Sequence, residues 1–90
     1  MHQRLGESSL NTLLHIAAGG AQFSKRDKKH LYGAARGFAF ECASLISFLH
    51  EEGEIIDDMK EELCASFETI SRMLAAMIKN LGDRRGWKEL

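Results

Sequence analysis

The chain has 90 residues, no proline and two cysteines, and its 12 basic and 13 acidic side chains leave a net charge of −1. No apolar run approaches the roughly 20 residues that cross a membrane, and Met1–Arg4 lacks the apolar core of a signal peptide. Cys42 and Cys64 each stand alone within a helical pattern, which favours free thiols in a cytoplasmic protein over a disulfide. Helix-type spacing without strand-type alternation predicts one all-α domain, residues 1–90.

The first predicted helix spans residues 9–20. Residues 1–8 are expected to form a lead-in that Gly6 interrupts, and Gly19 and Gly20 are expected to weaken the end of the helix. One side of this helix is apolar, and we expect it to cover part of the second helix: Leu10, Leu13, Leu14, Ala17 and Ala21. His15 lies beside that side and is interpreted as a histidine at the edge of the core.

The second predicted helix, residues 25–52, is the longest element. Ser24 with Asp27 has the spacing of an N-terminal cap, and Gly53 is a stop signal. Its apolar residues recur in alternating steps of four and three, which is typical of a helix packed lengthwise against others. They are Leu31, Ala35, Phe38, Cys42, Leu45 and Leu49.

This helix also contains a pair of glycines and a glutamate beside its apolar residues. Gly33 and Gly37 stand four residues apart inside the helix, where each costs about 1 kcal/mol relative to alanine. We therefore expect them to mark a close approach of two helices. Glu41 flanks the apolar residues and is expected to be a half-buried carboxylate paired with Arg36 or Arg72.

The third predicted helix, residues 57–81, follows a turn at Gly53 that is short enough to require an antiparallel hairpin. Asp58 with Glu61 again has cap spacing. The core of the hairpin is predicted at nine positions: Leu31, Phe38, Leu45, Leu49, Leu63, Phe67, Ile70, Leu74 and Leu81. Residues 83–90 form a charged tail whose Trp87 is either mobile or docked on the bundle or on a neighbouring subunit.

Several short motifs follow one another between residues 9 and 81. In the first half they are Ile16-Ala17-Ala18-Gly19, Ser24-Lys25-Arg26-Asp27, and Ala35-Arg36-Gly37 with Glu41. In the second half they are Gly53, Ile55, Leu63, Ile70, Arg72-Met73-Leu74, Ile78 and Leu81. In their order and spacing the chain resembles the bacterial four-helix-bundle family named after the 23S rRNA intervening-sequence protein. It is also similar to the accessory variability protein of diversity-generating retroelements.

The resemblance implies an up-and-down four-helix bundle that assembles into a pentameric ring, with a link to nucleic acid and to a reverse transcriptase. The chain departs from the family in three ways. The family's long first helix is expected to be missing, Ala18 replaces a glutamate, and the net charge is −1 where nucleic-acid-binding relatives tend to be basic. We therefore expect three helices in this chain and completion of the bundle by oligomerisation.

Charged residues are expected to collect at opposite ends of the hairpin. Basic residues are expected at one end: Lys25, Arg26, Lys28, Lys29, His30, Lys79, Arg84, Arg85 and Lys88. Acidic residues are expected at the other: Glu51, Glu52, Glu54, Asp57, Asp58, Glu61 and Glu62. Cations at a helix N-terminus predict an anion site, with RNA or DNA contacts at Lys25, Arg26, Lys28, Lys29, Arg84 and Arg85. The alternatives are a solvated end balanced by Asp27 and Asp83, or head-to-tail contacts between opposite ends.

A first helix only about 18 Å long cannot cover the hairpin, so an open apolar patch is expected. The predicted interface of a homo-oligomer, a dimer or a pentameric ring, comprises Ala39, Ile46, Phe48, Met59, Met73 and Ile78. The alternative is a protein-binding module that accepts a partner helix on that patch. No nucleophile–base–orienter set or carboxylate pair has workable spacing, so an enzyme is not expected. A CxxC or Cys/His metal pattern is also missing, and neither a metal, a cofactor nor a small-molecule substrate is expected.

Overall fold

The structure, a computed structural model, describes residues 2–83, with side-chain surroundings to residue 81. Over this range the chain is all-α, with three helices and no strand: α1 (His2–Ala21), α2 (Lys25–Glu51) and α3 (Asp57–Asp83). The predicted all-α class and the helix count are confirmed for these residues. Residues 84–90, which include Arg84, Arg85, Trp87 and Lys88, lie outside the described part of the chain.

Local signals fix both ends of α2. At its N-terminus, the Ser24 hydroxyl accepts a hydrogen bond from the backbone N–H of Asp27 at 3.2 Å, as the cap spacing predicted. At its C-terminus, Gly53 has a φ of +79°, a conformation that glycine adopts without strain. The N–H groups of Gly53 and Glu54 then donate to the carbonyls of His50 and Leu49, which completes a Schellman motif.

The first helix begins at His2 and not at residue 9, so the predicted lead-in is wrong. Gly6 lies within the helix, because one exposed glycine costs only about 1 kcal/mol there. Contacts outside α1 also hold its first turns, since Arg4 Nε lies 2.7 Å from Glu41 Oε2 and His2 Nε2 lies 2.8 Å from Glu54 Oε1. With 20 residues, α1 is about 30 Å long and runs along most of α2.

The three helices form a flat layer with α2 in the centre. Both α1 and α3 pack on α2, whereas no Cα of α1 comes within 8 Å of a Cα of α3. The contacts of Ser9 with Cys42 and of Gly19 with Lys28 show that α1 runs antiparallel to α2. Those of Cys64 with Ser47 and of Ser71 with Arg36 show the same for α3. The Cα atoms extend over 51 × 20 × 13 Å, so one layer of helices accounts for the shape.

The core follows a line along α2 that differs from the predicted one. The buried residues of this helix are Tyr32, Ala35, Ala39, Cys42, Ile46 and Leu49, and on α3 they include Leu74. Of the nine predicted core positions, Leu49 and Leu74 are buried. The other seven are only half-buried: Leu31, Phe38, Leu45, Leu63, Phe67, Ile70 and Leu81. The buried residues of α2 differ from the predicted ones because α2 packs against two helices. The residues of α2 that point between α1 and α3 are expected to be the most enclosed.

The close approach of helices occurs at Gly19 and not at the predicted pair. A Cβ placed on Gly19 would lie 2.6 Å from Cε1 of the buried Tyr32 ring, so α1 can reach α2 there only without a side chain. Gly33 and Gly37 have nothing within 4 Å of such an atom, and both lie on the exposed side of α2. Their interpretation as packing glycines is therefore wrong.

Candidate interaction surfaces

The apolar side of α1 faces away from α2. The side that contacts α2 carries Ser8, Thr12 and Gly19, all buried. About half a turn round the helix lie five exposed apolar residues, which we call the outer face of α1: Leu10, Leu13, Leu14, Ala17 and Ala21. The three leucines are 56%, 62% and 52% exposed. The prediction that this side covers α2 is therefore wrong.

A carboxylate on α2 explains why α1 turns its polar side inward. Glu41 Oε2 accepts hydrogen bonds from the hydroxyl of Ser8 and from the guanidinium of Arg4. Both hydrogen bonds lower the pKa of the Glu41 carboxyl, and the one from Arg4 has the larger effect. The predicted partners Arg36 and Arg72 are not the ones used, because Arg36 donates to Ser71 on the opposite side of α2.

A second open apolar surface lies between the flanking helices. Ile16 of α1 and four residues of α3 line a groove of about 140 Å³: Ile70, Met73, Leu74 and Met77. Leu74 forms the floor, since it is buried, and Met73 and Met77 remain exposed at the rim. The groove exists because α1 and α3 both pack on α2 but do not approach each other closely along their backbones.

Of the six residues predicted for an oligomer interface, two are buried in the single chain and four are exposed or half-buried. Ala39 and Ile46 are 0% and 1% exposed, so they belong to the core of the single chain, and their assignment to an open interface is wrong. Both belong to the line of buried residues along α2. In contrast, Phe48, Met59 and Met73 are exposed, and Ile78 is half-buried.

The basic end of the layer, which we call the basic pole, comprises the first turns of α2 and the exposed Lys79 near the end of α3. Lys25, Arg26 and Lys29 are exposed. The half-buried Lys28 instead donates to the carbonyls of Gly19 and Gly20, at 3.2 and 3.3 Å, and so caps the C-terminus of α1. The predicted contacts Arg84 and Arg85 lie outside the described residues.

The opposite end, which we call the acidic pole, lies where α2 gives way to α3. All seven predicted carboxylates there are exposed: Glu51, Glu52, Glu54, Asp57, Asp58, Glu61 and Glu62. Two histidines contact this group, His2 with Glu54 and His50 with Asp57. Because α2 runs from one pole to the other, the poles lie at opposite ends of a layer 51 Å long.

Among the residues described, no cluster of three or more His, Cys, Asp or Glu side chains is placed to bind a metal ion. Nor do those residues contain a helix with the length and apolar character needed to span a membrane. His15 is half-buried at the edge of the core, where Nδ1 lies 2.7 Å from the Asn11 carbonyl and the ring lies 5.1 Å from that of Phe38.

Comparison with protein-family models, with curated proteins and with solved structures finds no match for this chain. The surfaces must therefore be interpreted from their own chemistry. Sequence periodicity missed the outer face of α1 as a candidate surface because it predicted that this side of the helix covers part of α2. One signal was present, since Ser8, Thr12 and Gly19 recur at steps of four and seven, as small residues do along a closely packed helix.

Proposed function

We propose that this chain is a non-enzymatic helical module that works by associating with further copies of itself through its open apolar surface. The observation that supports this most directly is the outer face of α1, where three leucines point away from α2, the helix on which α1 packs. Soluble monomers rarely leave a contiguous apolar patch larger than a few hundred Å² in water. A second copy removes that exposure.

The composition around this face also supports association. Residues 8–23 contain no Asp, Glu, Lys or Arg, although 25 of the 90 residues are charged. Depletion of charge is what distinguishes the centre of a protein interface from ordinary surface. At the C-terminal end of the face, Ala17 and Ala21 have small, exposed side chains, so a partner helix can approach closely there.

The size of the effect follows from the exposure of the leucines. Each is about half exposed, so covering it contributes about 1 kcal/mol. Three leucines from each of two copies thus contribute about 6 kcal/mol, against an association cost of at least about 4 kcal/mol. Association through this face alone is weak, so the mass must be followed over a wide range of protein concentration.

The test is the mass of the protein by light scattering at increasing concentration. We expect the native chain to approach a multiple of the monomer mass, and the same measurement separates a dimer from a pentameric ring. The double variant Leu10→Ser/Leu14→Ser should remain a monomer with unchanged helical content, because both side chains are exposed. Phe23→Ser is the matched control: it also replaces an exposed apolar residue, but one in the turn between α1 and α2.

A native chain that stays monomeric at all concentrations would contradict the proposal. The alternative is then a module that holds a helix of another protein in the groove between α1 and α3. That alternative is supported by the exposed Met73 and Met77 at the rim, since flexible methionines adapt to the side chains of a partner helix.

A second candidate function is binding of RNA or DNA at the basic pole. Lys25, Arg26 and Lys29 are exposed at the N-terminus of α2, and among the described residues none of the three has a carboxylate within 4.0 Å. Positive side chains beside a helix N-terminus suit a phosphate group. The exposed carboxylates of the acidic pole lie at the far end of the layer, so they repel a nucleic acid there only weakly.

The salt dependence of nucleic-acid binding tests this candidate. In the variant Lys25→Gln/Arg26→Gln/Lys29→Gln, the slope of the logarithm of affinity against that of salt should fall by about 0.7 to 0.9 for each phosphate that the variant no longer neutralises. Lys28 is left in place because it caps α1. Lys60→Gln, beside the acidic pole, should leave the slope unchanged. No binding by the native chain at low salt would reject the candidate.

A further inference from the structure

The outer face of α1 is uneven along its length. Its bulky residues Leu10, Leu13 and Leu14 come first, and the small residues Ala17 and Ala21 follow about one to two turns later. If two such faces meet in parallel, leucine lies against leucine at one end and alanine against alanine at the other. If they meet antiparallel, each bulky stretch lies against a small one, and the helices keep a constant separation.

The distribution of charge favours the same direction. The first turn of α1 lies at the acidic pole, where His2 contacts Glu54. Its last turn lies at the basic pole, where Lys28 caps Gly19. An antiparallel pair of α1 helices therefore brings the acidic pole of each copy beside the basic pole of the other. A parallel pair places like charges together at both ends, which is unfavourable at low salt.

We propose that the partner bound at the outer face of α1 is the same face of a second copy, in an antiparallel arrangement related by a twofold axis. This inference rests on the proposed self-association and specifies its geometry. The axis passes between Leu13 and Leu14, because that is the midpoint of the stretch from Leu10 to Ala17. Leu10 of each copy then packs on Ala17 of the other, and a continuous layer of six helices results.

This register makes a prediction about distances. Leu10 of one copy lies seven residues away from Leu10 of the other along the helix axis, which is about 10 Å. A disulfide requires Cα atoms within about 7 Å. Cysteines at position 10 in both copies are therefore too far apart to join, whereas a cysteine at position 10 reaches one at position 17. Position 14 lies close to the axis and reaches itself.

The experiment uses variants of the full chain that each carry one introduced cysteine. Each carries Cys64→Ser and retains Cys42, which is fully buried. The Leu10→Cys and Ala17→Cys variants are mixed and mildly oxidised, and one of them carries a longer tag so that mixed and self-linked products differ in size. The Leu14→Cys variant is oxidised alone. We expect the mixed disulfide to exceed the self-linked Leu10→Cys product about tenfold, because only the former satisfies the distance requirement. Ser44→Cys, which is exposed on α2, measures linkage by random collision.

Each outcome decides between the two proposals. Self-linkage of Leu10→Cys and of Ala17→Cys without the mixed product would show a parallel pair and overturn this inference while leaving self-association in place. An oligomer by light scattering without linkage above the Ser44→Cys level would do the same. A monomer at all concentrations would overturn both. As a second readout, added salt should dissociate an antiparallel pair and favour a parallel one, and circular dichroism confirms that each variant is folded.

Discussion

The two helices that flank α2 are held against it by different interactions. On α3 the contact includes the buried Leu74, and the half-buried Ile70 and Ile78 pack on the same cluster. On α1 the buried residues are Ser8, Thr12 and Gly19, and the half-buried Ile16 packs on the same cluster. The α3 side of the layer is thus held mainly by hydrophobic burial, whereas the α1 side also depends on a close approach at Gly19 and on hydrogen bonds to Glu41.

This difference shows what an apolar periodicity measures. It identifies the side of a helix that avoids water, and that side meets the neighbouring helix only when the neighbour also presents apolar surface. On α3 this condition holds. On α1 the side with small and polar residues turns to α2 instead, because the Glu41 carboxylate accepts hydrogen bonds from Arg4 and Ser8, and the Tyr32 ring leaves no room for a side chain at position 19. The leucines of α1 are left for another partner.

The largest effect is expected at Ile46, a large side chain of α2 that is fully buried. Ile46→Lys should abolish the helical fold, because it removes a buried side chain and introduces an unpaired buried charge. The combined cost is comparable to the free energy of unfolding of a whole domain, which is roughly 5–15 kcal/mol. Phe48→Lys is the control, since Phe48 is largely exposed. Circular dichroism and urea unfolding provide the measurement. A folded Ile46→Lys variant would mean that this position faces solvent.

A second prediction compares the two flanks directly. Leu74→Ala should lower the free energy of unfolding by about 2–5 kcal/mol, since Leu74 is fully packed. Leu13→Ala should change it by less than about 0.5 kcal/mol at low protein concentration, because Leu13 is mostly exposed in the single chain. Urea unfolding of both variants at one dilute concentration tests this. Equal losses would show that α1 buries its leucines as α3 does.

A third, smaller effect concerns the close approach on the α1 side. Gly19→Ala should destabilise the protein, because a clash with the Tyr32 ring, at about 1–3 kcal/mol, outweighs a helix-propensity gain of about 1 kcal/mol. The added methyl group of Gly37→Ala has no atom within 4 Å, so this variant should stabilise the protein by the helix-propensity gain of about 1 kcal/mol. Adding Tyr32→Leu should reduce the cost of Gly19→Ala in thermal unfolding. If both alanine variants are stabilised, α1 and α2 do not approach each other this closely.

The smallest expected effect is the pH dependence at Glu41. Its pKa is lower in the folded chain because it accepts hydrogen bonds from Arg4 and Ser8. Its contribution to stability is therefore complete above the ordinary glutamate pKa of about 4.3 and is lost as the pH falls through the folded value. Glu41→Gln should remove this part of the acid sensitivity in urea unfolding between neutral and acidic pH. Glu62→Gln, at the acidic pole, should leave the profile unchanged.

The helices themselves were largely predictable because their signals are local. Ser24 caps α2 through a neighbouring N–H, and Gly53 ends it through its own backbone conformation, so neither depends on the rest of the fold. The start of α1 was missed because its first turns are held by contacts with Glu41 and Glu54, which are distant in sequence.

The orientation of the helices was decided only by the tertiary structure. The sequence by itself determined an all-α chain with opposite charged ends, since periodicity and charge order are properties of a linear pattern. It did not determine that Ala39 and Ile46 lie in the core while Leu10 and Leu14 face outward. Which side of a helix is buried depends on the volume and polarity of the neighbours it meets, and those neighbours are defined only once the three helices have packed.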